Sequence, residues 1–347
     1  MTPPPADPPE AVFYRYFIRE YFPDDLKPYS GGRLNLAELP DWLHELLEHM
    51  QTALNTSFTQ SHEALAASGR QLFVHVDYIK SDTPNAIAFE HGGYNFIAIT
   101  TALIDKLLKR SEELSQSLEV ARILDIQRNE AFAGPFLLIQ IVFVCAHEFG
   151  HHLGGHTIQS GQMIINEILN DTKMGSLTRQ ARESFADGYA VYLVLHFLIE
   201  SPQQRDAILE RFGKQHMQVE ENDKFLLKLL LISAAAYFFT RLQSTLNRTD
   251  IYLLTHPPAM SRINGIFQTA RVWCQRERPS LNEWLTTERL NDIMRAAEHA
   301  RTGETGGDDL ATQIAFLSSP DGREYHVKLA EAFAAMQPPD ILRPPSA

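Results

Sequence analysis

The chain has 347 residues, 44% hydrophobic and 21% charged, and a formal net charge of −12. That is globular usage rather than disorder, and the negative charge, with no Lys/Arg run interleaved with aromatics, excludes a non-specific nucleic-acid binder. Cys145 and Cys274 are too few and too far apart for a disulfide framework or a cysteine zinc knuckle, which points to a reducing compartment, the cytoplasm.

Residues 1–10 are Pro-rich without an apolar core, so they read as a flexible tail and not as a secretory signal. Residues 11–69 read as a helical segment. Phe13, Tyr14, Tyr16 and Phe17 form an aromatic patch, and after Pro40 the residues Trp42, Leu43, Leu46, Leu47, Met50 and Leu54 recur at helical spacing, with Asp41 as N-cap. A core over 70–276 opens with β signals: a strand over 72–79, then strands over 86–90 and 94–99 joined through His91-Gly92-Gly93 as a hairpin. Thr100 is placed to cap a helix carrying Leu103, Ile104, Leu107 and Leu108. Residues 113–133 fit a continuation of that helix followed by a loop. The helix over 136–153 is apolar nearly all round as far as Ala146, which predicts a central, buried position, and Gly154-Gly155 ends it.

Further helices are expected over 177–200, 206–212, 223–246, 258–274, 280–300 and 308–336, with a C-terminal helical segment over 277–337. The glycine-rich stretch 302–308 reads as a loop and 338–347 as a Pro-rich flexible tail. The apolar run 229–239 falls short of the roughly 20 residues that cross a bilayer, and Lys228 would interrupt a longer one, so no membrane span is expected. The fold class is α+β and mostly helical, with one small antiparallel sheet ahead of the helix over 136–153.

That helix carries His147-Glu148-Phe149-Gly150-His151. Two histidines four apart project from one face about 6 Å apart along the axis, where one Zn²⁺ can accept both imidazoles. Glu148 follows the first histidine, the position of a general base acting on water at the metal. A helix with two solvated histidines would also produce the string, but ionisable groups in so apolar a helix are costly unless paired or ligated.

A catalytic zinc site needs a third protein ligand. Thr157 stands where a third histidine six residues after His151 would be, and His156 is one position short. Glu183 and Asp187 offer the alternative, a carboxylate pair four apart on one helix face. One can ligate while the other accepts the second N–H of a ligand histidine. Between them Ala186 permits close approach, and Phe185, Tyr189, Ala190, Leu193 and Val194 make the helix largely buried.

The string His147-Glu-Phe-Gly-His151-His-Leu-Gly-Gly-His156 resembles the H-E-L-G-H-x-x-x-G-H motif of the HtpX and CAAX prenyl protease family of gluzincin metallopeptidases. Three other segments in the family's order are similar to it. They are Asn85-Ala86-Ile87-Ala88 with Gly93 and Ile97-Ala98-Ile99, Glu183-x-x-Ala186-Asp187-x-x-Ala190, and Thr255-His256-Pro257-Pro258 with Arg262-Ile263. The resemblance implies a zincin-like core with His147, His151 and Glu183 as zinc ligands, Glu148 as base and Asp187 as the partner behind a ligand. It also implies His256 and Arg262 as catalytic groups on the substrate side, and a hairpin edge with Asn85 and Ala86 that holds the peptide backbone by β-augmentation. The developing oxyanion needs a positive or hydrogen-bonding partner besides the metal, which His256, Arg262, Tyr189 or Tyr192 could provide on the substrate side. The alternatives are His256 as a helix-entry residue held by Pro257 and Pro258, and Arg262 as a structural partner of Asp187. Members of those families are membrane-embedded, so a soluble relative is expected here; size and motif also give a weaker similarity to Lit-type phage-exclusion peptidases.

The expectation is therefore a zinc-dependent endopeptidase acting on an intracellular protein or peptide through zinc-activated water, with Glu148 as general base. The alternative is a zinc-containing sensor or scaffold of peptidase fold with little turnover. The remaining histidines His44, His49, His62, His75 and His91 carry no ligand spacing and read as surface or packing residues.

Overall fold

Helices occupy most of the described chain, and one three-stranded sheet interrupts them early. The computed structural model describes residues 5–17, 31–66, 72–159, 175–240, 246–302 and 308–336. The expected tail over 338–347 and most of the glycine-rich loop lie outside those residues. Contacts divide the chain into two compact units, Met1–Lys106 with Glu148–Leu169, and Leu107–His147 with Asn170–Ala347. Both helix α3 (Thr101–Gln116) and helix α5 (Ala133–Leu153) run through a boundary between units, so neither unit is a continuous stretch of chain.

In the first unit, α1 (Pro9–Phe17) lays Val12, Phe13 and Tyr16 on Ile79, Ile87, Phe89, Phe96 and Ala98 of the sheet. The expected aromatic patch is thus half core, because Tyr14 points to solvent while Tyr16 stacks on Phe89 at 4.5 Å between centroids. Helix α2 (Asp41–Ala66) buries Leu43, Leu47, Met50, Leu54 and Phe58, whereas Trp42 stays exposed. Its first hydrogen bonds, from Leu43 and His44, go to the carbonyl of Pro40, so Asp41 sits inside the first turn rather than at the cap. His75 is a packing residue, its ring edge-on to Phe96 at 6.0 Å.

The strands are β1 (Val74–Ile79), β2 (Ala86–His91) and β3 (Tyr94–Thr100), in the order β1-β3-β2. The hairpin forms as expected: His91 pairs with Tyr94, and Gly92 and Gly93 take φ of +57° and +85°, the double positive φ of a type I′ turn. The sheet as a whole is mixed, which corrects the antiparallel expectation, because β1 pairs with β3 in parallel from Val74–Asn95 to Ile79–Thr100. Residues 80–85 carry the chain past the place beside β1, and β3 fills it after the hairpin turn. The outer side of β1 is closed by other chain. Leu34 donates to the Tyr78 carbonyl, Lys80 donates to Gly32, and Asn55 of α2 accepts from the Val76 N–H at 2.8 Å. A side-chain amide here does what another strand would do.

Thr100 caps α3 as expected, its Oγ1 accepting from the Leu103 N–H at 3.2 Å. The helix continues only to Gln116, and instead of a longer continuation a separate helix α4 (Leu118–Leu124) follows, capped by Ser117 through the Val120 N–H. In the second unit the N-terminal part of α5 is buried nearly all round, with Phe143 edge-on to Phe238 at 5.9 Å. Helices α7 (Leu177–Leu195), α8 (Pro202–Arg211), α9 (Val219–Phe239) and α10 (Ala259–Glu277) follow α6 (His156–Gln159), which belongs to the first unit. The chain continues with α11 (Pro279–Trp284), α12 (Thr287–Thr302), α13 (Asp308–Ser318) and α14 (Pro320–Ala335). The single helix expected over 308–336 is broken at Ser319. Pro320 excludes the helical conformation from the residue before it, and Ser319 instead caps α14 through the Gly322 N–H. Among the described residues one helical stretch, Glu130–Leu153, is long and apolar enough to cross a membrane, with a mean hydropathy of 1.7 in its most apolar window; 78% of that window is buried inside the protein.

Candidate metal centre

Helix α5 turns from purely apolar to ionisable after Ala146, and His147, Glu148 and His151 are all buried. One helical turn fixes the two imidazoles relative to each other. Helix α7 brings the carboxylates. Glu183 Oε2 lies 3.4 Å from His147 Nε2, and Asp187 Oδ1 lies 2.9 Å from His147 Nδ1. The two nitrogens of one ring therefore face two carboxylates a helical turn apart. One ligand atom each from His147, His151 and Glu183 falls within 4.8 Å of the others.

Asp187 is held from its other side. Arg262 of α10 donates from Nε to Oδ2 at 2.8 Å and from a terminal nitrogen to Oδ1 at 2.7 Å, a bidentate clamp. The guanidinium lies over the Phe238 ring, 4.4 Å from its centroid, and 3.7 Å from Glu183 Oε2. His256 is buried in the segment ahead of α10. Its Nε2 lies 3.6 Å from Glu183 Oε2, and its Nδ1 lies 2.9 Å from Thr255 Oγ1. Of the residues expected at the site, His147, Glu183, Asp187, His256 and Arg262 converge on this group, with His151 completing the donor set.

Three further expected residues have partners of their own. The Asn85 N–H is bonded to Thr100 Oγ1 at 2.8 Å and its carbonyl accepts from Thr100, so its backbone is already engaged at the start of β2. Ala86 is buried and pairs with Ile99. Tyr189 packs on Phe185 at 5.4 Å between ring centroids and, two residues beyond Asp187, lies about 200° round α7 from it.

Two histidines gain partners that spacing did not assign. His156 Nδ1 lies 3.0 Å from His151 Nδ1. The chain reaches this position through Gly154, where a Cβ would come within 2.4 Å of the His156 ring, and Gly155, whose φ is +65°. His152 is fully buried, and burial pushes its imidazole down to about 4, so it is neutral near pH 7. It bonds through Nε2 to the Phe96 carbonyl at 3.0 Å and through Nδ1 to the Asn95 amide at 3.4 Å, tying the end of α5 to β3. Only the run of adjacent histidines, His151-His152, hinted at it.

Two imidazoles and one carboxylate are the donor set of a catalytic zinc site. A tetrahedron with arms of about 2.0 Å has edges of about 3.3 Å, and the separation of 3.4 Å between His147 Nε2 and Glu183 Oε2 matches that edge. The residues fit the ion. Such a centre, with a glutamate adjoining the first histidine on one central helix, defines a metal-dependent hydrolase. The chain belongs to peptidase family M48, whose family profile matches residues 41–270, and it is accordingly a zinc metallopeptidase. The family includes the HtpX and CAAX proteases, in agreement with the four motifs. Comparison with curated proteins and with solved structures yields no match.

Proposed function

We propose that the protein is an endopeptidase of protein or peptide substrates in a reducing compartment, with His147, His151 and Glu183 as the zinc ligands and Glu148 as the general base. The observation that carries the ligand assignment is His147, which faces Glu183 with Nε2 at 3.4 Å and Asp187 with Nδ1 at 2.9 Å. An Nδ1–H donated to Asp187 leaves the Nε2 lone pair for the metal. When bound, zinc supplies Lewis acidity toward water and the scissile carbonyl. The Glu148 carboxylate takes the proton of the attacking water and passes it to the leaving amine.

His256 supplies a hydrogen bond to the oxyanion that develops on the carbonyl. Beside Glu183 its Nε2 carries the proton, and Nδ1 accepts from the Thr255 hydroxyl. Arg262 acts through Asp187, keeping that carboxylate ionised and aimed at His147, and is a positioning residue in this reading. His156 plays the same part for His151, whose Nδ1–H it accepts. The outer side of β1 is closed and β2 is the other border of the sheet among the described residues, and an extended peptide adds along it.

Zinc analysis tests the ligand set. Protein purified without chelator is expected to hold one zinc per chain, and Glu183→Ala to hold little; stoichiometric zinc in that variant would remove Glu183 from the set. Gly154→Ala is expected to push the His156 ring off His151 and weaken zinc binding by about 10–100-fold. Competition with a chromogenic chelator measures this, and unchanged affinity would deny His156 its role.

A further inference from the structure

The segment that carries His256 is held by a hydrogen-bond network whose last member comes from the C-terminal helix α14, beyond the span that matches the family. The turn Ile251–Leu253 and Leu254 lead directly into Thr255 and His256. Gln180, three residues before Glu183 on α7, is fully buried, and its amide N–H₂ donates to both the Ile251 and the Leu254 carbonyls at 2.8 Å. Gly175, just ahead of α7, donates its N–H to the Leu253 carbonyl at 2.8 Å. A Cβ at Gly175 would fall 1.7 Å from the Leu254 oxygen, so the two backbones touch there. The Gln180 side chain is completed by Tyr325 of α14, whose buried hydroxyl donates to Oε1 at 2.6 Å.

The amide orientation is fixed by its neighbours. Two carbonyl oxygens can only accept, so the N–H₂ must face them and the Oε1 must face Tyr325. Burial raises the Tyr325 hydroxyl above the ordinary phenol range, so it stays a donor at any working pH. A second contact comes from α13, where buried Gln313 accepts the Met260 N–H at 3.3 Å, at the start of α10 and just past His256-Pro257-Pro258. The segment is thus held ahead of His256 by Gln180 and behind it by Gln313, and each hold involves the C-terminal helical pair.

We propose that α13 and α14 are a brace for the catalytic segment. Tyr325 is a positioning residue that acts through Gln180 on the backbone of residues 251–254 and so sets the approach of His256 Nε2 to the metal centre. The proposal rests on the reading of His256 as a donor to the oxyanion. Tyr325→Phe removes one hydroxyl and keeps the ring, so the core around α14 remains filled.

The test uses the full chain loaded with cobalt in place of zinc. In Tyr325→Phe, amide hydrogen exchange over residues 251–256 is expected to rise at least 10-fold, with exchange on α5 unchanged. The paramagnetically shifted proton signals of the His256 ring are expected to move, with cobalt still at one per chain. Gln180→Leu should reproduce both changes. Unchanged exchange together with an unmoved His256 signal overturns the brace, as does a rise in exchange spread evenly over the whole chain, which would mean general destabilisation. Cleavage of fluorescently labelled casein by His256→Ala keeps the two ideas apart. Full turnover in that variant sinks the catalytic reading of His256 while leaving the brace standing on exchange and cobalt spectra. If His256→Ala is impaired, adding Tyr325→Phe should cost nothing more, and multiplied losses would show that Tyr325 acts by another route.

Discussion

Glu148→Gln is expected to abolish peptide cleavage while one zinc per chain remains bound. Glutamine matches glutamate in shape, so the fully buried position on α5 stays filled and the adjacent histidines keep their places. What disappears is a basic oxygen beside the attacking water. General-base assistance is worth about 10²–10⁴-fold, and the amide also cannot return a proton to the leaving amine, so the loss reaches at least the upper end of that range. Turnover of labelled casein and zinc per chain, measured on the same preparation, check it. Cleavage at more than a few per cent of the wild-type rate would remove Glu148 from the reaction, whereas loss of zinc would place its role in holding the metal.

The second large effect is expected at Asp187, whose carboxylate meets Arg262 on one side and His147 on the other. Asp187→Ala leaves the Arg262 guanidinium buried without its bidentate partner, and the nearest remaining anion is Glu183 at 3.7 Å. Breaking a buried ion pair from one side costs about 3–5 kcal/mol, so a clear drop in unfolding free energy is expected in urea. The stranded cation also draws the Glu183 carboxylate away from His147, and His147 loses its Nδ1 acceptor, so zinc affinity falls about 10–100-fold. Asp187→Ala combined with Arg262→Leu separates the two consequences. Removing both charges restores much of the stability but not the zinc affinity. A double variant that recovers both would reduce Asp187 and Arg262 to packing.

The parts of the site legible in the sequence are those set by local periodicity. His147 and His151 share a face because they are four apart on a helix, and Glu183 and Asp187 do so for the same reason. Spacing could not assign the ligand between Glu183 and Asp187. That choice is a tertiary matter of which nitrogen of His147 each carboxylate meets. Arg262 was legible both as a charge near the site and as a structural partner for Asp187, but the bidentate form of that contact, across 75 residues, was not. Gln180 left no trace, and His152 no more than its place beside His151, because their partners are backbone carbonyls of distant segments, and any residue offers a carbonyl. The hairpin was legible because only glycine takes two positive φ values in succession at little cost, whereas β1 gave its strand character but not the direction of its partner. The break at Ser319-Pro320 was written in the chain but overridden by apolar periodicity running across it.

The closure of β1 by Asn55 and by residues 32–34 has a consequence for assembly. Edge-to-edge polymerisation of sheets requires two unsatisfied borders on every molecule, one to receive a neighbour and one to offer the next. Here the border at β1 is occupied from within, so joining through β2 ends at a pair of molecules and cannot grow into a filament. Among the described residues β2 is the other border of the sheet, so the proposed addition of an extended substrate there and pairing with a second copy would compete.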